Sequence, residues 1–399
     1  MNTTNATLTN TEGSTINNSA SLTNLSGATL TNSGRLTNSN SGTINNSGIL
    51  SSSRTIENGI GSTGIINNTG TLDNNYSATL TNGVNGAINS SGILNNRRNG
   101  TINNSGMLTN SGALQNSIGS TSASTINNTG TLSNATGATL TNGANGTINN
   151  SAQLTNLSGA TLTNSGHLVN NNAGTINNSG NIISTGDITN SGNFLIANMG
   201  SVIGGGDFTQ TAGSLVVNGS MTQSLIDIEG GTLSGSGYLS GTVKIGSDAM
   251  LNPGNSPGVL NITGDLFIDG LLNIEIASAD VFDIINVSGT TTFGGNSQIV
   301  FNFVNAFMPT EDFTLDFFNS ANVEGFDLVE LSFGDNMNWG AASLENGQLQ
   351  LAVSASEIDG GNGSTGQVPE PATIALLGIG FAGFGAARRR QLKTRALAG

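Results

Sequence analysis

Few residues of this 399-residue chain are equipped for chemistry. Acid–base hydrolysis needs two carboxyl groups flanking a scissile bond. The first 200 residues hold four acids (Glu12, Glu57, Asp73, Asp187) and four bases (Arg35, Arg54, Arg97, Arg98). Asp73 and Asp187 are many repeats apart, so no acid–base pair is expected, and no enzyme. His167 stands in Asn-Ser-Gly-His-Leu-Val-Asn, the slot that Arg35 fills in Asn-Ser-Gly-Arg-Leu-Thr-Asn. That slot reads as a variable surface turn, not as a base or a ligand. Gly204-Gly205-Gly206-Asp207 matches a calcium-binding glycine–aspartate turn in composition. Such turns work in arrays, and this one stands alone, so a tight turn is the expectation. Asp265, Asp269, Glu275, Asp280 and Asp283 form an acidic stretch, read as solvated surface rather than a cation site. No cofactor or metal site emerges. With no cysteine, disulfides and thiolate-bound zinc are excluded.

Charge excludes one class of partner. The net charge is −14, and between Lys244 and Arg388 there is no Lys or Arg. Nucleic-acid binding is not expected, because phosphate contacts need clustered cations. Charged residues are 9% and aromatics 5%, while 58 positions are Gly. Such a composition suits disorder unless its apolar residues are placed regularly.

They are placed regularly. Ala-Thr-Leu-Thr-Asn recurs from Ala28, Ala78, Ala138 and Ala160, and Gly-Thr-Ile-Asn-Asn-Ser from Gly42, Gly100 and Gly174. One Leu or Ile anchors each unit: Leu8, Ile16, Leu22, Leu30, Leu36, Ile44, Leu50, in alternating steps of 8 and 6 residues. Units this short and rich in Thr, Asn and Gly disfavour helix. In a strand the anchor and the Asn two residues later share a face. If the anchors point inward, so do the Asn residues, which can bond up and down a column. Three anchors per coil give about nine coils over residues 1–190, each rising by the ~4.8 Å strand spacing. The expected fold is all-β, a right-handed parallel β-helix. Irregular steps at 51–64 and 117–124 predict loop insertions. Outward Thr residues such as Thr31, Thr81, Thr141 and Thr163 would give a flat hydroxyl face suited to ice or a crystalline glycan; they are also good strand formers on a solvent face.

Residues 191–275 continue the pattern with richer anchors, such as Phe194-Leu195-Ile196. Leu251-Asn252-Pro253-Gly254-Asn255-Ser256-Pro257-Gly258-Val259-Leu260 follows, with Leu260, Ile262 and Leu266 re-entering the stack. This segment resembles the proline–glycine motif late in autotransporter-type β-helical passenger chains. Residues 276–354 hold most of the Phe and the lone Trp339. The alternation in Gln298-Ile299-Val300-Phe301-Asn302-Phe303 predicts antiparallel strands forming a β-rich end region that caps the solenoid. Residues 355–367 read as a flexible Gly/Ser linker.

The last segment begins Val368-Pro369-Glu370-Pro371, continues as sixteen apolar residues (372–387), and ends in Arg388, Arg389 and Arg390. Sixteen is just short of the ~17–25 residues of a typical spanning helix. The basic cluster orients it, because positive flanks stay cytoplasmic; residues 392–399 are then a basic cytoplasmic tail. The whole, over 368–391, resembles the PEP-CTERM sorting signal. The resemblance implies that an exosortase-type membrane protease or transpeptidase recognises Pro369, Glu370 and Pro371 and processes the chain there. Cleavage after Pro371 would leave 24 acids and five bases, a net charge of −19. Export also needs an N-terminal signal. Met1-Asn2-Thr3-Thr4-Asn5 has neither a basic region nor an apolar core, so the signal is expected upstream. The chain thus reads as an exported structural or adhesin-like surface protein, associated with exopolysaccharide or biofilm.

Overall fold

The computed structural model describes residues 1–119, 121–255, 257–307, 311–333, 340–345 and 348–353. The chain divides into two compact units, Met1–Glu357 and Ile358–Gly399. The second unit lies outside the described residues, as do the predicted linker, the sorting segment with its helix at 372–387, the basic tail and Trp339.

The first unit is a parallel β-solenoid. From Thr7–Asn10 to Asn193–Ile196 the strands follow one another at three per coil, and each pairs in parallel with the third strand after it. Twenty-seven strands therefore make nine coils over this stretch. Leu8 lies beside Leu30, Leu30 beside Leu50 and Leu50 beside Leu72. The register is set by the pattern: a slip of one residue would turn every anchor out to water. Leu30, Leu36, Ile44 and their successors are 0% exposed, whereas Leu8, Ile16 and Leu22 of the first coil are half-buried.

One buried anchor per strand is a thin core. Each contributes roughly 1.5–3 kcal/mol, too little to order a coil of about 20 residues. The second inward residue supplies the rest. Asn at the end of each strand forms three buried columns, one per corner. Along one column Asn18 donates to Asn38, Asn38 to Asn58, Asn58 to Asn82, Asn82 to Asn104 and Asn104 to Asn128, each at 2.7–2.8 Å. Each Nδ2 also reaches a backbone carbonyl of the following coil, as Asn104 does to Thr131 O at 2.8 Å. Every side-chain amide in this column donates toward the C-terminal end, so the dipoles align and polarise one another.

The corners need glycine where coils touch. A Cβ on Gly70 would stand 2.1 Å from the carbonyl oxygen of Gly48, and one on Gly92 2.1 Å from that of Gly70. These contacts are backbone and cannot swing aside. Gly70→Ala is expected to lower stability by roughly 1–3 kcal/mol through forced separation of two coils, read as a lowered thermal midpoint.

The predicted loops fall between strands, at 59–63 and, in its described residues, at 117–119 and 121–123. Ser51 and Ser52 are not part of the first; they end a regular strand, Ile49–Ser52. Ser52 takes the Asn position, as do Ser90 and Ser184 elsewhere.

Past residue 190 the amide columns give way to apolar filling. Asn190 passes its bond to Gln210 at 2.9 Å, and Ile196 and Val217 occupy the position in another column. Phe194 and Phe208 meet edge-on at 5.7 Å inside the coil. Two 16-residue strands, Ser220–Gly235 and Tyr238–Pro253, then each wrap a whole coil. Val259–Thr263, Leu266–Ile268 and Leu271–Ser278 complete a thirteenth turn. Leu260, Ile262 and Leu266 are buried as expected.

One strand prediction needs correction. Gln298–Phe303 is parallel, to Leu271–Ser278 on one side and Glu330–Phe333 on the other. Period-two alternation reports the pleat and says nothing of partner direction. Antiparallel pairing occurs elsewhere: Leu271–Ser278 pairs in this sense with Val281–Phe282, and Gln348–Val353 with both Phe313–Glu324 and Gly340–Glu345. The parallel series gives way to antiparallel strands at this end. Among the described residues no helix is long and apolar enough to cross a membrane.

Candidate functional site

The coils decide which polar residues meet. Asp73 and Asp187 stay apart, as expected. Asp73 accepts from Arg97 at 2.9 Å and from Asn95 at 2.5 Å on the next coil. Asp187 has His167 Nδ1 at 3.7 Å, both side chains more than half exposed. His167 is not in a turn: it opens the strand His167–Asn170, side chain outward. Arg35 opens Arg35–Asn38 in the same way and pairs with Glu57 at 2.5 Å. Arg54 pairs with Glu12. Exposed pairs of this kind contribute about 0–1 kcal/mol each. No group of three metal-ligating side chains occurs among the described residues.

The Thr face is also redistributed. Thr31, Thr141 and Thr163 lie on one side of the coil, with Ser51, Asp73, Asn95 and Gln115 between Thr31 and the adjacent pair Thr141 and Thr163, while Thr81 lies on another. Equal sequence units share a face only when a whole number of coils separates them; Thr29–Asn32 and Thr79–Asn82 are the fourth and eleventh strands, at three per coil. A different row is continuous: Thr55, Thr79, Thr101, Thr125 and Thr147 stand in register on five successive coils. Beside it Asn103, Asn127 and Asn149 form an outer amide ladder at 2.9–3.0 Å.

The acidic stretch is only partly the solvated surface expected. Asp265 accepts from Thr290 N–H at 2.8 Å. Asp269 accepts from the Asn296 side chain and N–H at 2.9 and 3.0 Å, which hold its carboxyl below the usual range. Asp283 is 1% exposed and accepts from Gly258 N–H at 2.7 Å and Glu275 N–H at 2.9 Å. Burial pushes its carboxyl up to about 7, against the pull of those two donors. Asp283 is therefore an internal clamp on the proline–glycine segment. Sequence reasoning placed it outside because its neighbours are acidic; the signal available was its apolar setting, Val281-Phe282-Asp283-Ile284-Ile285. Gly204 has φ 146° and passes within reach of the Ser184 carbonyl, the tight turn expected.

Sequence reasoning missed one cluster. Tyr76, Arg98 and the pair Gly119 and Thr121 occupy the same corner on three successive coils. Arg98 donates to Tyr76 Oη at 2.5 Å, and its guanidinium lies 4.7 Å from the ring centroid.

The sorting residues Pro369, Glu370, Pro371 and Arg388, Arg389, Arg390 lie outside the described residues. Their assignment rests on comparison. Residues 367–390 match the PEP-CTERM protein-sorting motif. The chain carries a PEP-CTERM signal. This motif implies an exported protein held in the membrane before processing by exosortase. The solved structures similar to the chain include the crystal structure of a TibC-catalysed hyper-glycosylated fragment, TibA55-350. It is 16% identical at a TM-score of 0.24, covering 83% of this chain and 98% of that one. No curated protein matches.

Proposed function

We propose that this PEP-CTERM protein is a non-catalytic, adhesin-like structural component of the cell surface or extracellular matrix, working in association with exopolysaccharide or biofilm. The carrying observation is the sorting motif at 367–390 joined to a long coil stack. A solenoid of repeated coils offers extended, repetitive faces, a geometry suited to lattice or polymer contact. Its coils are taken as right-handed, the sense of nearly all parallel crossovers. Residues 372–387 would span the inner membrane before processing, with Arg388–390 on the cytoplasmic side. Exosortase would then act at Pro369-Glu370-Pro371.

Mass spectrometry of the mature protein tests this. The expected product ends near Pro371, and the double variant E370A/P371A is expected to remain uncleaved in the membrane fraction. A wild-type mature chain intact to Gly399 would overturn the reading.

The Thr row favours a second reading, a binder of a lattice-like ligand, ice or crystalline glycan. Five in-register hydroxyl side chains repeat at the ~4.8 Å coil spacing. Ice-recrystallisation and glycan-array assays separate the two readings.

A further inference from the structure

We propose that the corner built by Tyr76, Arg98, Gly119 and Thr121 is a binding site for a carboxylate-bearing sugar, such as a uronate unit of an acidic polysaccharide. This deepens the surface reading above and rests on it for location alone.

Three successive coils supply the parts. The corner after the strand Thr71–Asn74 carries Tyr76, the corner after Ile93–Asn96 carries Arg98, and the loop after Ala113–Asn116 carries Thr121. Between Arg98 and that loop lies an open cleft of about 460 Å³ lined by Tyr76, Ser77, Asn99 and Thr121. Tyr76 is 61% exposed, an aromatic ring left in water beside Ser77, Asn99 and Thr121. Arg98 lies over one face of the ring, and the other face is the apolar plate for the C–H face of a pyranose.

Arg98 supplies the charge. Arg35, Arg54 and Arg97 each pair with an acid, whereas Arg98 makes no ion pair among the described residues. One of its five N–H donors is spent on Tyr76 Oη. The remaining fork fits a carboxylate bidentately. The hydroxyls of Ser77 and Thr121 are placed to meet sugar hydroxyls. A bare anion would leave the Tyr76 plate unused, and a neutral sugar would leave the guanidinium unused. A sugar acid uses both.

The site is held in advance. Tyr76 and Ser77 have φ of 51° and 63°, Arg98 and Asn99 of 53° and 66°, so both corners make the same left-handed double turn. Ser77 N–H bonds the Arg98 carbonyl at 2.9 Å, locking the two corners together. Long-range repulsion does not oppose an anion here, because the first 200 residues carry four acids and four bases, the excess acid lying further along.

The test is titration of the full-length protein with polyuronate oligosaccharides and, in parallel, with neutral glucan oligosaccharides. Asn suits left-handed backbone, as Asn40 at φ 51° shows in this chain, so Arg98→Asn and Tyr76→Asn leave the corners intact. The wild type is expected to bind the polyuronate and not the glucan, more weakly as salt rises. Arg98→Asn should weaken binding by about tenfold or more, with Arg98→Lys between the two, and Tyr76→Asn by several-fold. Equal binding of the neutral glucan, no binding of the polyuronate, or affinities unmoved by both variants would overturn the proposal. None of these outcomes touches tail processing, which the mass-spectrometric test reads separately.

Discussion

Asn104→Ala is expected to destabilise the solenoid by roughly 3–5 kcal/mol, as much as deleting a core Leu. Asn104 is 0% exposed and makes three bonds: it accepts from Asn82 at 2.8 Å and gives to Asn128 Oδ1 and Thr131 O, both at 2.8 Å. Truncation takes the donor from Asn128 Oδ1 and Thr131 O, while Asn82 Nδ2 keeps Met107 O at 2.9 Å. Asn104→Ser should cost less, about 1–2 kcal/mol. The chain shows why. Ser52 Oγ accepts from Asn32 at 3.1 Å, and Ser184 Oγ from Asn164 at 3.0 Å, so Ser keeps the bond from below. Ser52 is too short to give one above, and Asn74 Oδ1 is left buried without a partner. The reverse change, Ser52→Asn, should therefore stabilise by about 1 kcal/mol by completing the column. Guanidinium unfolding followed by circular dichroism reads all three. A Ser52→Asn midpoint equal to wild type, with Asn104→Ala no worse than a surface change, would mean the columns are passive filler.

The second large effect lies at Asp283. Asp283→Ala is expected to cost about 2–4 kcal/mol, because it orphans the buried N–H groups of Gly258 and Glu275. The wild type should also show a pH dependence of definite sign. The carboxyl titrates near 7 in the folded chain against an ordinary value of 3.8. Between those values the folded state holds a proton that the unfolded state has released. Stability therefore rises as pH falls from about 7 toward 4, and is lost as pH climbs through 7. Asp283→Asn cannot titrate, so the slope over that window should flatten. An Asp283→Asn profile as steep as wild type would assign the dependence to other groups.

Much of the fold was legible because its signal is local and repeated. One anchor and one Asn, two residues apart, define a strand, its inward face and its corner. Repetition over nine coils leaves little room for another register. The Asn columns follow from the same spacing, since side chains two apart share a face. The tail was legible for a different reason: a sorting signal is read as sequence, by motif, apolar length and flanking charge.

Lateral position was not legible. Thr31 and Thr81 sit in identical pentapeptides yet fall on different sides of the coil, because their strands are seven apart in a stack of three per coil. Successive Asn partners are 20 or 22 residues apart in places and 26 across Asn116 and Asn142, where the 117–123 loop intervenes. Every third strand carries one of Thr55, Thr79, Thr101, Thr125 and Thr147, and the stack absorbs the unequal loops while keeping them in line.

The sequence alone determined the architecture of this protein and its destination. Both depend on patterns short enough to be complete within a few residues. The tertiary structure decided which residues separated by a whole coil become neighbours. It moved Asp283 inside, where a carboxyl needs two backbone donors. It also set Arg98 upon Tyr76, a pairing 22 residues apart in sequence and one coil apart in space. Such contacts follow from the accumulated length of every turn between them, which no local pattern records.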